Sequence, residues 1–160
     1  MRAPTIYTTP VLPEWIDYNG HLRDSYYVVA LSLASDGFLD RIGVDEAYRK
    51  RTACTIYTLE LHIHYLHEVK IGQTLDVRAR VLVHDAKRVH LALDCYVQGR
   101  EEAVALSDMM LLHVQQGEKP GSAPFPPEVK AKIEQLQAET VGLPPPGPGS
   151  RAIALPPPRR

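Results

Sequence analysis

Proline is missing from the long middle of this chain. Of 14 prolines, three fall at or before Pro13 and eleven at or after Pro120. Nothing between Glu14 and Lys119 therefore interrupts a helix or an interior strand, and the folded core belongs there. Cysteine is nearly absent as well. Cys54 and Cys95 stand far apart without a CxxC partner, which excludes a zinc ribbon and a disulfide scaffold. Each lies in an apolar, strand-like run, as buried thiols of a reducing cytoplasm do. No apolar run approaches the length of a membrane span; the longest, Tyr26 to Leu31, is far too short. Met1-Arg2-Ala3-Pro4 opens without an apolar signal region. An excess of either charge is also lacking: 18 Lys+Arg against 19 Asp+Glu give a net charge of −1, which disfavours a nucleic-acid binder.

What remains is a chain of 160 residues, the size of one domain with a sizeable core. From Leu22 to Ile42 the apolar residues follow helical ridges: Leu22, Tyr26, Ala30 and Leu33 on one, Tyr27, Leu31, Ala34, Phe38 and Ile42 on another. Tyr26 to Leu31 is apolar all round, which predicts a central, buried helix, and Gly43 is placed to end it in a left-handed cap. A shorter helix is expected over about 127–138, with Pro127 in its first turn and Val129, Ile133 and Leu136 on one face. The proline-rich stretch 141–160 reads as an extended or disordered tail. Within it, Ile153 to Leu155 is a candidate docking segment and Arg159-Arg160 a mobile end.

The rest of the core alternates with period two. Tyr57–Tyr65, Asp76–His84 and Val89–Val97 each carry an apolar face, Ala103–Val114 is apolar on both, and Thr5–Val11 is an earlier strand. Pairing His84 with His90 in a hairpin sets Val83 opposite Leu91, Val81 opposite Leu93, and Arg80 opposite Asp94 as an ion pair on the outside. The fold class is therefore α+β, one long apolar helix against a curved antiparallel sheet. The polar, mostly uncharged outer face of Tyr57–Tyr65 marks it as a dimer edge.

Chemistry gathers at Pro13-Glu14-Trp15-Ile16-Asp17-Tyr18-Asn19-Gly20-His21, between the first strand and the long helix. A helix N-terminus offers unpaired amides and the positive end of its dipole to a developing oxyanion. Gly20 lets a ligand approach the backbone. Asp17 can serve as general base or nucleophile, or Asp17 or Asn19 can simply cap the helix; spacing alone leaves both readings open.

Asp17-x-x-Gly20-His21 ahead of an apolar helix, with Tyr27 inside that helix, resembles the hotdog-fold acyl-CoA thioesterases of the 4-hydroxybenzoyl-CoA thioesterase type. The fuller string from Pro13 to His21, together with Ala34-x-Asp36, Ile42-Gly43-Val44-Asp45 and Tyr57-Thr58-x-Glu60-x-His62-Ile63, is most similar to the subgroup associated with carnitine degradation and betainyl-CoA. The similarity runs over roughly residues 5 to 115. The resemblance implies a hotdog fold over residues 1–140, in which the sheet wraps the helix. It also implies hydrolysis of a small acyl-CoA in the cytoplasm, with no metal and no cofactor, by a homodimer or a dimer of dimers. Asp17 would activate water or attack the thioester, and amides around Gly20 and His21 would polarise its carbonyl. Leu22-Arg23-Asp24 stands where many relatives have Val-Asn-Asn, so the carry-over stops at Asp17, Asn19, Gly20 and His21. A non-catalytic acyl-CoA-binding module and a dehydratase-like lyase are the alternatives on the same fold.

The aromatics Trp15, Tyr18, Tyr26 and Tyr27, with Tyr57 and Tyr65 on the following strand, suit an acyl group bearing a quaternary ammonium, with Trp15 and Tyr18 in the loop as the best-placed cage. Glu60 is a candidate second acid reaching the cleft across a dimer interface. Coenzyme A phosphates call for a basic patch, either Lys87-Arg88 at the hairpin or Arg49-Lys50-Arg51 after the long helix, with the hairpin preferred. Glu60, His62, His64 and His67 have zinc-like spacing but read better as a polar outer face. Ser25 has no evident His and Asp partners for a nucleophilic triad, and neither cysteine sits in an electropositive loop.

Overall fold

The computed structural model describes residues 2–144 and Gly147. The tail expected over 141–160 lies outside the described residues apart from 141–144 and Gly147, and so do the segment Ile153 to Leu155 and Arg159-Arg160. In chain order the elements are β1 (Thr5–Pro10), a 3-10 turn (Pro13–Trp15), α1 (Asp24–Ile42), α2 (Glu46–Thr52), β2 (Cys54–Tyr65), β3 (Thr74–His84), β4 (Arg88–Val97), β5 (Ala103–Gln115), β6 (Gly121–Ser122) and α3 (Pro127–Ala138). The strands form one antiparallel sheet in the order β1-β3-β4-β5-β2, with the short β6 added to β5. The sheet curves as a half-barrel around α1, as the hotdog reading expects. No helix among the described residues is long and apolar enough to cross a membrane.

α1 begins two residues later than the apolar pattern suggests, because Leu22 is held elsewhere. Its N–H donates to the Val69 carbonyl at 2.7 Å, and the residue bridges to Ile16. The Asp24 carboxylate then accepts from the Ser25 amide at 2.8 Å in the first turn. The helix stops at Gly43, whose φ of +83° only glycine adopts freely and whose N–H returns to Asp40 and Leu39. Gly37 faces β1: a Cβ there would lie 2.7 Å from the Ile6 carbonyl oxygen, so the absent side chain sets how closely strand and helix approach.

The expectation of a helix buried all round is corrected. Ala30, Leu31, Ala34, Phe38 and Ile42 are fully buried against the sheet, whereas Val28, Val29 and Leu33 are about two-fifths exposed. A sheet that wraps only half the cylinder leaves the other half without a partner inside one protomer.

Two bulges change the strand reading. Between Val81 and Val83 the β3–β4 register shifts, so Val81 faces Leu91, Arg80 faces Ala92 and Val83 faces His90. The hairpin register read from the sequence is therefore displaced, and Val83 points out, 56% exposed, rather than inward. The Arg80–Asp94 pair still forms, at 2.6 Å, but diagonally and nearly buried rather than on the surface. In β2 the shift falls between Thr58 and Glu60. Leu61 and Ile63 pack on the core and Ile56 does so upstream, whereas Tyr57 and Leu59, expected on the apolar face, are exposed. β5, apolar on both faces, lies inside the sheet between β4 and β2, and β2 is an edge strand, as the patterning indicates.

α2 has too short a stripe to show as a period. Its start is nevertheless marked by Asp45, whose side chain accepts from the Tyr48 amide at 2.8 Å. Its Tyr48 is buried with its hydroxyl 2.8 Å from His113 Nε2, while His113 Nδ1 lies 2.9 Å from the Ala123 carbonyl. His113 is thus a satisfied core histidine.

Candidate active site

Asp17 sits at the head of a tight loop closed by the Ile16–Leu22 bridge. Its own N–H donates to the His21 carbonyl at 2.8 Å, and the Gly20 N–H returns to the Asp17 carbonyl at 3.0 Å. Gly20 has a φ of +79°, which is the reason for glycine here. Nothing lies within 4 Å of where its Cβ would be, so the turn's conformation rather than a close approach demands it. Asn19 contributes its backbone: its N–H donates to Asp17 Oδ1 at 2.8 Å, and the His21 N–H donates to the same oxygen at 3.2 Å. These amides hold the Asp17 carboxyl below its usual value, His21 contributing most, and burial only partly opposes them. The turn therefore keeps an ionised carboxylate with Oδ1 engaged and Oδ2 outside both bonds.

This geometry corrects one expectation. The amides of Gly20 and His21, expected to polarise a thioester carbonyl, are already used within the loop, one on the Asp17 carbonyl and one on its carboxylate. In the first turn of α1 the Ser25 and Tyr26 amides are engaged too, on the Asp24 carboxylate and the Arg23 carbonyl, so the donor this end offers is the Asp24 N–H.

Asp17 lines a cavity of about 510 Å³ together with Tyr18, His21, Leu22, Arg23, Asp24 and Tyr27 from the loop and α1, and with Tyr65, Leu66, His67 and Glu68 from the end of β2 and the segment after it. His21 Nε2 lies 2.9 Å from Glu68 Oε2. Tyr27 is buried, with its hydroxyl donating to the His67 carbonyl at 3.4 Å; burial raises its phenol well above the ordinary value, so it stays protonated. Tyr65 donates to the Asp24 carbonyl at 3.3 Å and is likewise shifted upward by burial.

The structure thus brings together Asp17, His21, Tyr18 and Tyr27, and shapes their loop with Asn19 and Gly20. Four other candidates lie elsewhere. Trp15 is buried and stacked on Tyr26, with ring centroids 5.3 Å apart and planes 13° from parallel, so it is a core residue and not a wall of the cavity. Glu60 is exposed on the edge strand and does not line the cavity of its own protomer. Lys87 and Arg88 stand at the opposite end of the sheet. The cavity lies at the Tyr65 end of β2, whereas Arg88 pairs with Leu112, the partner of Tyr57 toward the other end of that strand, at about 3.3 Å per residue. Arg88 is also bound to Asp85 at 2.6 and 2.8 Å, which holds that carboxyl down at about 2, and Lys87 donates to Ser122. No group of three or more His, Cys, Asp or Glu among the described residues is arranged to hold a metal ion, and the zinc-like spacing of Glu60, His62, His64 and His67 does not converge. Glu68 and Asp24 were invisible to motif reading: Glu68 is 47 positions from His21 and meets it where the Leu22 amide bonds to the Val69 carbonyl.

The family model of the thioesterase-like superfamily matches residues 11–133. A betainyl-CoA thioesterase of Pseudomonas aeruginosa strain PAO1 is 47% identical over 155 residues, covering 97% of each chain. An L-carnitine dehydrogenase/betainyl-CoA thioesterase of Rhizobium meliloti is 37% identical over 129 residues, 80% of this chain but only 25% of that longer protein. Among solved structures, a hypothetical Staphylococcus aureus protein in complex with CoA superposes with a TM-score of 0.86 at 26% identity, covering 98% of both chains.

Proposed function

Since the chain belongs to the thioesterase-like superfamily and is an acyl-CoA thioester hydrolase, we propose that its substrate is betainyl-CoA, hydrolysed to the free acid and coenzyme A with Asp17 as the reacting carboxylate. The observation that carries this reading is a carboxylate kept ionised by two loop amides on the wall of a cavity that also receives the first turn of α1. Asp17 Oδ2 either takes a proton from the attacking water or bonds to the carbonyl carbon itself, giving a mixed anhydride that water then opens. The C–S bond breaks in both routes, and the coenzyme A thiolate leaves without strong acid assistance. The positive end of α1 and its first-turn amide face the oxygen on which negative charge develops. His21, tied to Glu68, holds the other wall in place. Water is the only co-reactant, and neither metal nor cofactor enters the scheme.

We further propose a homodimer, with pairing of two such dimers as its extension. The edge of β2 is unpaired among the described residues, and the α1 face of Val28, Val29 and Leu33 is uncovered. Antiparallel pairing of two β2 strands sets the Cys54 end of one beside the Tyr65 end of the other. In that arrangement the partner's α2 end and hairpin come toward this cavity, which offers Glu60, Lys87 and Arg88 an approach to a site that they do not line within one protomer. A CoA substrate and two buried free thiols fit the cytoplasm.

Thiol release followed with a thiol-reactive dye across a panel of acyl-CoAs tests the function. Betainyl-CoA should give the highest kcat/KM, and a purified, folded chain that releases no thiol from any of them would refute it. Sedimentation should show a dimer at micromolar concentration, and an active monomer would refute the assembly.

A further inference from the structure

The betainyl group ends in a trimethylammonium, a cation with no N–H to donate. Hydrogen-bond acceptors alone cannot grip it; aromatic faces and nearby negative charge can. The cavity walls supply both.

Tyr27 and Tyr65 meet there edge to face, with ring centroids 5.3 Å apart and planes 74° apart, so they form two walls of a nearly square corner. Each ring is pinned by its hydroxyl: Tyr65 on the Asp24 carbonyl at 3.3 Å, and Tyr27 on the His67 carbonyl at 3.4 Å. Both polar ends are therefore committed to backbone on the rim, and the ring bodies are left to the cavity. Tyr27 is buried in the core beneath, while Tyr65 is half-exposed. The charge around this corner is also biased. Asp17, Asp24 and Glu68 contribute three carboxylates to the lining against the single permanent cation of Arg23, with His21 and His67 beside them. Asp24 stands at the rim of the Tyr65 ring because its own carbonyl is the atom that holds the Tyr65 hydroxyl. Of the loop aromatics singled out by sequence, Trp15 is spent on Tyr26, and Tyr18, though on the cavity lining, is 92% exposed and belongs to no ring pair.

We propose that the Tyr27–Tyr65 corner, bordered by the Asp24 carboxylate, is the acyl-group subsite that selects a quaternary ammonium over an uncharged group of the same shape. The inference rests on the hydrolase reading above and adds the residues that set its specificity. Tyr65 is the deciding wall, since Tyr27 is also needed to pack the core.

The experiment compares kcat/KM for betainyl-CoA with that for 3,3-dimethylbutanoyl-CoA, in which carbon replaces the quaternary nitrogen. The ratio of the two cancels any loss common to both substrates. Wild-type protein should favour the cation by at least ~10-fold, about 1.4 kcal/mol. Tyr65→Leu should bring the ratio down about 10-fold, and Tyr65→Phe, which keeps the ring, should hold it within about twofold. Asp24→Asn, which retains an oxygen for the Ser25 amide, should lower the ratio by a few-fold, and added salt should shrink that effect. An unchanged ratio in Tyr65→Leu, or equal rates for the two substrates in wild-type protein, would overturn the subsite while leaving the hydrolase reading intact. Hydrolysis of neither substrate would overturn both.

Discussion

His21 and Glu68 form a contact across the mouth of the cavity, with Nε2 and Oε2 2.9 Å apart although α1, α2 and β2 separate the two residues in the chain. His21 follows directly on the turn that fixes Asp17, so the contact ties the carboxylate-bearing loop to the segment after β2. Glu68→Gln keeps a hydrogen-bond acceptor and removes the charge. Because Glu68 is 68% exposed, the effect is that of a screened pair, about 3–10-fold in kcat/KM and not more. Steady-state kinetics on betainyl-CoA check this, and a loss of ~10³-fold would make Glu68 a catalytic group instead of a positioning one.

Gly37 fixes the distance between α1 and β1. Alanine in a helix interior gains about 1 kcal/mol over glycine. Here, however, its Cβ would press on a backbone oxygen at 2.7 Å, and overpacking of that kind costs about 1–3 kcal/mol. Gly37→Ala should therefore be neutral to destabilising by about 2 kcal/mol in urea unfolding. A clear stabilisation would mean that β1 can move away from the helix freely.

Much of this arrangement is legible in the sequence, and the failures have physical causes. The α1 ridges, the Gly43 cap, the α3 face and the two-sided apolarity of β5 are local patterns, and their elements fall where the patterns put them. The bulges at Leu59 and Leu82 leave no composition mark, so strict alternation misplaces Tyr57 and Leu59 ahead of the first and Val83 beyond the second. Asp17 with Gly20 and His21 was visible because the loop is contiguous. The site's other wall, from Tyr65 to Glu68, arrives through strand pairing, which no local spacing encodes. Trp15 looked like a cavity aromatic because it flanks Asp17, yet backbone hydrogen bonds from the 3-10 turn aim it at Tyr26 and the core.

Neither cysteine should react in the native protein. Cys95 is fully buried and its thiol is pushed up to about 12, chiefly by burial, with Asp94 next to it adding to the shift. Cys54 is buried with Sγ 3.0 Å from Gln115 Oε1. A thiol-reactive dye at about pH 8 should titrate close to no protein thiol until denaturant is added, and two per chain afterwards. Rapid native labelling would place Cys54 at an opening segment and would also add a background to thiol-release assays.

The central claim is that the Asp17 carboxylate carries the reaction. Asp17→Asn keeps an oxygen for the Asn19 and His21 amides, so the loop is retained while the charge is lost. Thiol release from betainyl-CoA by this variant, measured at saturating substrate with binding of the CoA ester checked separately, should show kcat reduced by at least ~10²-fold with binding retained. Turnover near the wild-type rate in the folded variant would contradict the account.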